Sequence, residues 1–261
     1  MAPSMTADTP ILSARGVTKT YRTGAIAVDA LKGIDLDLKQ GELVMVMGPS
    51  GNGKTTLLNC LSGLDDIDAG SVHVDGVEIH QLSDRKRTSH RADWMGFIFQ
   101  SFNLIPVLSA AENVEVPLTI QGVRQGPARK RALDILDRVG LADRADHRPT
   151  ELSGGEQQRV AVARALVSEP AIVWADEPTG NLDSETAASV IDLLLEINQG
   201  GQTLVVVTHD RGLGSLGHRL VQIRDGLVTY DGAPAALLDG AGSVDGAGPV
   251  DGAGSVEGAV R

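Results

Sequence analysis

The sequence predicts an α/β fold: a mostly parallel sheet, a small antiparallel β region ahead of it, and a helical insertion within it. Two observations carry this. Five short apolar runs, Leu43–Met47 (LVMVM), Gly96–Phe99 (GFIF), Ala171–Ala175 (AIVWA), Thr203–Val207 (TLVVV) and Arg219–Ile223 (RLVQI), have the length of strands covered on both faces. Helical segments separate them, KTTLLNCLSGL after the first and SETAASVIDLLLEI (Ser184–Ile197) between the third and fourth. That alternation belongs to a parallel sheet with crossover helices.

In chain order, residues 1–10 form a short polar lead and residues 11–238 carry the fold. ILSARGVTKTYR, IDLDL and SVHVDG supply the antiparallel β region. Residues 101–165 form the helical subdomain, on the strength of apolar positions at helical spacing in RKRALDILDRVGL and turn signals such as QGP. From Asp239 onward, DGAGSV, DGAGPV, DGAGSV and EGAV repeat. Gly, Ala and Ser with one Val per unit bury too little surface to offset chain entropy, so residues 239–261 are expected to be a disordered tail.

Composition narrows the function. The 261 residues are 42% hydrophobic but only 3% aromatic, so the core is aliphatic. The formal net charge of −11 disfavours nucleic acid as a partner. Cys60 stands alone, so no disulfide forms within the chain. The first residues lack a basic, apolar leader, and no apolar run reaches the roughly 18–20 residues that span a bilayer. The expected location is cytoplasmic, with any membrane association made through a partner.

Three stretches carry chemistry. Gly48, Pro49, Ser50, Gly51, Asn52, Gly53, Lys54 and Thr55, with Thr56 behind them, fit G-x-x-x-x-G-K-[ST] between a strand and a helix. Backbone amides there cradle phosphates, Lys54 reaches the β- and γ-phosphates, and the Thr55 hydroxyl holds Mg²⁺. AIVWADEP then brings Asp176 and Glu177 to a strand end, where ligands of open α/β sheets bind. Asp176 supports Mg²⁺, often through water, and Glu177 is placed as general base toward a water attacking the γ-phosphate. His209 in VVVTHD and Gln100 in GFIFQ also close strands, and are candidates for contacts to the γ-phosphate, the metal or the attacking water. The six histidines show no metal-ligand spacing, and no zinc site is expected.

The third stretch, LSGGEQQRVAVARAL (Leu152–Leu166), is a second anion-binding helix end. Ser153 caps it, and Gly154 and Gly155 leave its first amides bare, with no lysine or metal residue nearby in sequence. It completes a phosphate site rather than making one.

Together, Tyr21, GPSGNGKTT, Gln100, LSGGE, Asp176-Glu177, Asp183 and His209, in that order over residues 11–238, resemble the ATP-binding cassette of ABC transporters. The resemblance implies the ABC ATPase fold on a P-loop sheet, hydrolysis of ATP with Mg²⁺, and two copies packed head to tail. Each ATP then lies between the phosphate loop of one copy and Ser153, Gly154, Gly155 and Glu156 of the other. It implies that Tyr21 stacks on adenine and that Asp183 crosses the interface. It also implies that the helical subdomain docks on an integral membrane permease, with Phe102, Leu104 and Ile105 as candidate contacts and the basic stretch 124–148 as a candidate docking surface. The cassette would thus be peripheral on the inner face of the cell membrane.

FNLIPVLSAAENVEVPL and DEPTGNLDSETA resemble the subgroup serving lipoprotein release, macrolide efflux and cell division, which implies an export-type machine. Asn52 and Trp174 depart from the pattern; both flank the motifs, so altered packing is expected rather than lost chemistry. The alternative is a soluble or regulatory ABC ATPase without a transported solute. Such proteins usually carry two cassettes in one chain or a long coiled coil between Gln100 and the LSGGE helix; this sequence shows one cassette and no room there for a coiled coil.

Overall fold

The computed structural model describes residues 9–24 and 26–238; the predicted tail and most of the predicted lead lie outside the described residues. The chain runs β1 (Leu12–Thr23), β2 (Ile26–Leu38), β3 (Leu43–Met47), α1 (Lys54–Leu61), β4 (Ala69–Val74), β5 (Val77–Glu78), α2 (Asp84–Trp94) and β6 (Met95–Phe99). It continues through α3 (Ala110–Ile120), α4 (Gln125–Arg138), α5 (Gly154–Leu166), β7 (Ile172–Asp176), α6 (Ser184–Gln199), β8 (Thr203–Thr208), α7 (Arg211–Gly214), β9 (Arg219–Arg224), β10 (Leu227–Gly232) and α8 (Pro234–Leu238).

Two sheets result, an antiparallel one in the order β2-β1-β4-β5 and a larger one in the order β10-β9-β3-β8-β7-β6. In the larger sheet β9, β3, β8, β7 and β6 are parallel neighbours, and only β10 joins antiparallel, at the edge. The predicted α/β class is the observed one, and each apolar run is a strand of this sheet.

The reason those runs are continuous is visible in the packing. Alternate residues of the central strands enter two different cores. Leu43, Met45, Val173, Ala175, Leu204 and Val206 face the core shared with α3, α4, α5 and α6. Val44, Val46, Ile172, Trp174, Val205 and Val207 face the core shared with α1 and the antiparallel sheet. With water on neither face, no position calls for a polar residue. Trp174 is fully buried in the second core, and its indole N–H has no hydrogen-bond partner among the described residues.

Sequence reasoning passed over α2 and β10. Helix α2 (DRKRTSHRADW) buries no residue, so it shows no apolar period. Strand β10 is a half-exposed edge hairpin after the Asp225-Gly226 turn. The insertion is built from α3, α4 and α5 around Val114, Leu118, Ala132, Leu136 and Val160. Fully buried Asn113 stitches the segment after β6 to α3: its Oδ1 accepts from the Ile105 amide at 2.7 Å, and its Nδ2 donates to the carbonyls of Ile105, Leu108 and Ser109.

Helix α5, which begins with the LSGGE turn, lies directly on β6. A Cβ on Gly96 would fall 2.1 Å from the Ala165 carbonyl oxygen, so only glycine permits this approach. Gly96→Ala should therefore lower stability by about 1–3 kcal/mol, the usual cost of overpacking, read as a lower urea midpoint.

Candidate nucleotide site

The phosphate loop leaves the wholly buried β3 and turns into α1. Two glycines make the turn possible. A side chain at Gly48 (φ 157) would meet the Ile223 carbonyl oxygen at 2.1 Å, and one at Gly53 (φ 96) the Ala30 carbonyl oxygen at 2.5 Å. Gly53 also caps α1 with no side-chain bond, which leaves the first helical amides to an anion. Lys54 is buried, and its ammonium donates to the carbonyls of Gly48 (2.8 Å) and Pro49 (3.1 Å), back across the loop.

Asn52 has a definite task. Its Oδ1 accepts from the Asp225 amide at 2.7 Å and its Nδ2 donates to the Ser50 carbonyl at 3.2 Å, so it ties the β9–β10 turn to the loop. Tyr21, Val28, Lys32, residues 51–56, Asp225 and Gly226 are among the walls of a cleft of about 400 Å³ beside the loop. A larger cleft of about 710 Å³, between the ends of α4 and α6, lies away from all of these residues.

Strands β7 and β8 are paired, and β8 pairs with β3, so their carboxyl ends and the phosphate loop share one edge of the sheet. Asp176 is the last residue of β7, and Glu177 follows in a left-handed conformation (φ 46). The Glu177 amide donates to the Val207 carbonyl at 2.9 Å, and its Oε1 lies 2.9 Å from His209 Nδ1. Strain of that kind persists only where surroundings enforce it, and it gathers at functional sites. Asp176 Oδ1 is buried without a hydrogen-bond partner. Burial pushes the Asp176 carboxyl above the usual carboxylate range, opposed by the Thr55 hydroxyl and raised further by Glu177.

Gln100, just past β6, is bonded twice to the Asn181 side chain: its Nε2 donates to Asn181 Oδ1 at 3.4 Å, and its backbone carbonyl accepts from Asn181 Nδ2 at 3.0 Å. Asn181 escaped sequence reasoning because nothing near it in sequence marks a partner for Gln100. The following turn, with Phe102 and Asn103 both at positive φ, is held by Arg164 of α5, which donates to both carbonyls.

Helix α5 starts in a capping box: the Ser153 hydroxyl accepts from the Glu156 amide at 3.3 Å, and the Glu156 carboxylate accepts from the Ser153 amide at 2.8 Å. This amends the expectation of bare amides. The Glu156 amide is engaged, and the Gly154 and Gly155 amides remain as the first two of the helix. No lysine or metal residue is near this turn in sequence, but in the fold a guanidinium is: Arg144 Nε lies 3.0 Å from Glu156 Oε1. A Cβ on Gly155 would fall 2.3 Å from the Thr186 methyl, so the LSGGE turn packs tightly on the start of α6.

Asp183 caps α6, accepting from the amides of Glu185 and Thr186 and from the Thr186 hydroxyl at 2.7 Å. Those Thr186 bonds hold the Asp183 carboxyl below its usual range. Tyr21 is 41% exposed at the cleft, with its hydroxyl on Asp65. Ile105 is exposed and Leu104 packs on the helical core. In the basic stretch, Arg129 is engaged by Glu115 and Asp146, and Lys130 by Asp134.

Residues 31–180 match the family described as ABC transporter. The uncharacterized ABC transporter ATP-binding protein MJ0796 of Methanocaldococcus jannaschii is 47% identical over 223 residues, covering 84% of this chain and 95% of that one. The chain belongs to the ABC transporter ATP-binding family. It is an ATPase of the ABC type, with the ABC ATPase fold.

The lipoprotein-releasing system ATP-binding protein LolD of Alcanivorax borkumensis is 44% identical over 225 residues, 86% of this cassette and 99% of that protein. A macrolide export ATP-binding/permease protein MacB 1/2 of Paracoccus denitrificans is 46% identical over 230 residues, 87% of this cassette and 34% of that protein. The solved dimer of MJ0796 in a post-hydrolysis state, bound to ADP and Pi, superposes with a TM-score of 0.79 at 44% identity, covering 85% of this cassette and 98% of that chain.

The buried Asp176 carboxyl makes a prediction about the nucleotide-free cassette. Its folded pKa is raised, so from the ordinary aspartate range up to that raised value the folded state binds more proton than the unfolded state. Stability therefore falls as pH rises from the ordinary aspartate range through the folded pKa. Asp176→Asn should stabilise the nucleotide-free cassette by about 1 kcal/mol at neutral pH. In thermal melts the gain should shrink as pH falls toward the ordinary aspartate range.

Proposed function

We propose that this cassette is the motor subunit of a membrane transport complex of the lipoprotein-release and macrolide-export type, hydrolysing MgATP at two sites shared between two copies. The observation that carries this is the convergence, on one sheet edge, of an open phosphate loop, the Glu177–His209 pair and the unpartnered Asp176 oxygen. The LSGGE turn lies outside the cleft that holds the loop. The dimeric solved relative supports the shared site. Among the described residues no helix is long and apolar enough to cross a membrane. In this reading the transport pathway is a separate permease, in keeping with the likeness to lipoprotein-releasing and macrolide-export ATP-binding proteins. On the same reading the cassette is peripheral on the inner face of the cell membrane, held there by the permease.

In this reading, loop amides and Lys54 bind the phosphates, and Tyr21 stacks on the base. The buried Asp176 oxygen and the neighbouring Thr55 hydroxyl fit Mg²⁺, a cation that usually takes one or two protein oxygens and completes its shell with phosphates and water. Gln100 is a further oxygen donor there. Mg²⁺ would supply neutralisation of charge on the phosphates. Glu177 accepts the proton of the attacking water, and the His209 Nδ1 contact fixes the carboxylate's orientation. Ser153 and the amides of Gly154 and Gly155 bind the γ-phosphate of the partner's ATP, and Glu156 holds that turn in shape. Asp183 and the LSGGE turn move as one piece because Thr186 touches both. The helical subdomain, residues 101–165, passes the motion to the permease.

Three substitutions separate the roles. Lys54→Ala should abolish tight ATP binding in calorimetry. Glu177→Gln should slow hydrolysis by roughly 10²–10⁴-fold and accumulate an ATP-bound dimer on size exclusion. Ser153→Arg should bind ATP as a monomer, and full ATPase activity in that variant would refute the shared site. Tagged Glu177→Gln, loaded with MgATP and purified from gently solubilised membranes, should bring down a permease. Recovery of the dimer alone, even after cross-linking in cells, would point instead to a soluble ATPase.

A further inference from the structure

Tyr21 is exposed on strand β1, where a tyrosine ring ordinarily rotates freely, yet here it is pinned from two sides. Its hydroxyl donates to Asp65 Oδ2 at 2.7 Å. Lys19 Nζ sits over the ring, 5.1 Å from its centroid. The same ammonium donates to Asp65 Oδ1 at 2.8 Å and to the Asp66 carbonyl at 2.7 Å. One carboxylate therefore grips both the edge of the ring and the cation that covers one of its faces. The opposite face is the one left for a flat ligand. Burial works against a charged Asp65, but the bonds from Lys19 and Tyr21 outweigh it and hold the carboxyl below its usual range.

Asp65 is itself fixed to the phosphate loop. It lies just beyond α1, whose first residue is Lys54. The Asn59 carbonyl accepts the amides of Leu64 (2.9 Å) and Asp65 (3.1 Å), which closes the end of that helix. The segment between α1 and β4 is also laced to β1: the Asp68 amide donates to the Thr18 carbonyl at 2.9 Å, and Asp68 Oδ2 accepts from the Thr20 amide at 2.6 Å. The two-turn helix α1 is thus a rigid spacer with the phosphate cradle at one end and the clamp on Tyr21 at the other.

We propose that Asp65 is a positioning residue for the nucleotide base: through its bond to the Tyr21 hydroxyl and its hold on Lys19, it presets the Tyr21 ring at a fixed distance and angle from the phosphate loop. This rests on the reading of Tyr21 as the base platform. A preset ring spares the ligand the entropy of ordering a surface side chain, so the clamp acts on affinity for the base and leaves the phosphate contacts alone. Asp65 touches neither base nor phosphate in this scheme.

The test compares MgATP with magnesium tripolyphosphate, which keeps the phosphates and lacks the base, on the full chain by calorimetry. Asp65→Asn, Tyr21→Phe, the double variant and Tyr21→Ala are each checked for unchanged melting without ligand. Asp65→Asn and Tyr21→Phe should each weaken ATP binding by about 3–10-fold, the range for one hydrogen bond. The double variant should be no weaker than the worse single one, and tripolyphosphate affinity should stay within about twofold throughout. In steady-state hydrolysis Asp65→Asn should raise KM and leave kcat in place.

The inference is overturned if Tyr21→Ala loses ATP affinity while Asp65→Asn and Tyr21→Phe bind like the parent chain, and the platform reading then survives. It is also overturned if the two single effects add, or if tripolyphosphate weakens in parallel with ATP, because Asp65 would then be supporting the fold. Unchanged ATP affinity in Tyr21→Ala would remove the platform reading and the clamp with it.

Discussion

Burial of the larger sheet on both faces is the constraint on which the rest of the molecule depends. Strands β3 and β8 have no exposed residue, and β7 has one partly exposed residue, Asp176 at its end. A sheet so covered can meet a ligand only where its strands stop. Asp176, Glu177 and His209 all follow from that, since each is the residue or near neighbour at which a buried strand emerges, and Lys54 opens the helix to which the loop after β3 leads. The apolar interior also sets the electrostatics. An aspartate at the rim of such a sheet is partly desolvated, which is why the Asp176 carboxyl sits above its usual range until something positive is placed beside it.

The second consequence concerns close approach. Gly48, Gly53, Gly96 and Gly155 each stand where a Cβ would fall within about 2.5 Å of another atom, in three cases a backbone carbonyl. Two of them bring the phosphate loop against β9 and β2. The other two seat α5 on β6 and the LSGGE turn on Thr186. The cassette is therefore a set of stiff pieces joined at glycine contacts. That architecture suits the proposed motor role, in which one packed block moves against another.

How much of this the sequence disclosed depends on the range of the interaction. The phosphate loop, the Asp176-Glu177 pair and the capped LSGGE helix were legible because their chemistry lies within a few consecutive residues, where motif and local conformation coincide. The strands were legible for the same reason, as runs with no polar position. What stayed hidden were contacts between separate segments: Asn181 with Gln100, Arg144 with Glu156, Arg164 with the turn after β6, and Thr186 with Gly155. Asn52 is instructive, because in sequence it was only an unusual residue in a familiar loop, and its bond to Asp225 spans 173 positions.

The sequence by itself determined the fold class, the family and the inventory of reactive groups, because apolar runs, glycine spacing and helix caps act over one or two turns of chain. Only the tertiary structure decided how those groups are held. It bent Glu177 into a left-handed conformation against His209, left one Asp176 oxygen without a partner, and clamped Tyr21 to the far end of α1 through Asp65. Each of these depends on the packing of segments that no local rule brings together, and side-chain orientation and desolvation exist only once that packing is complete.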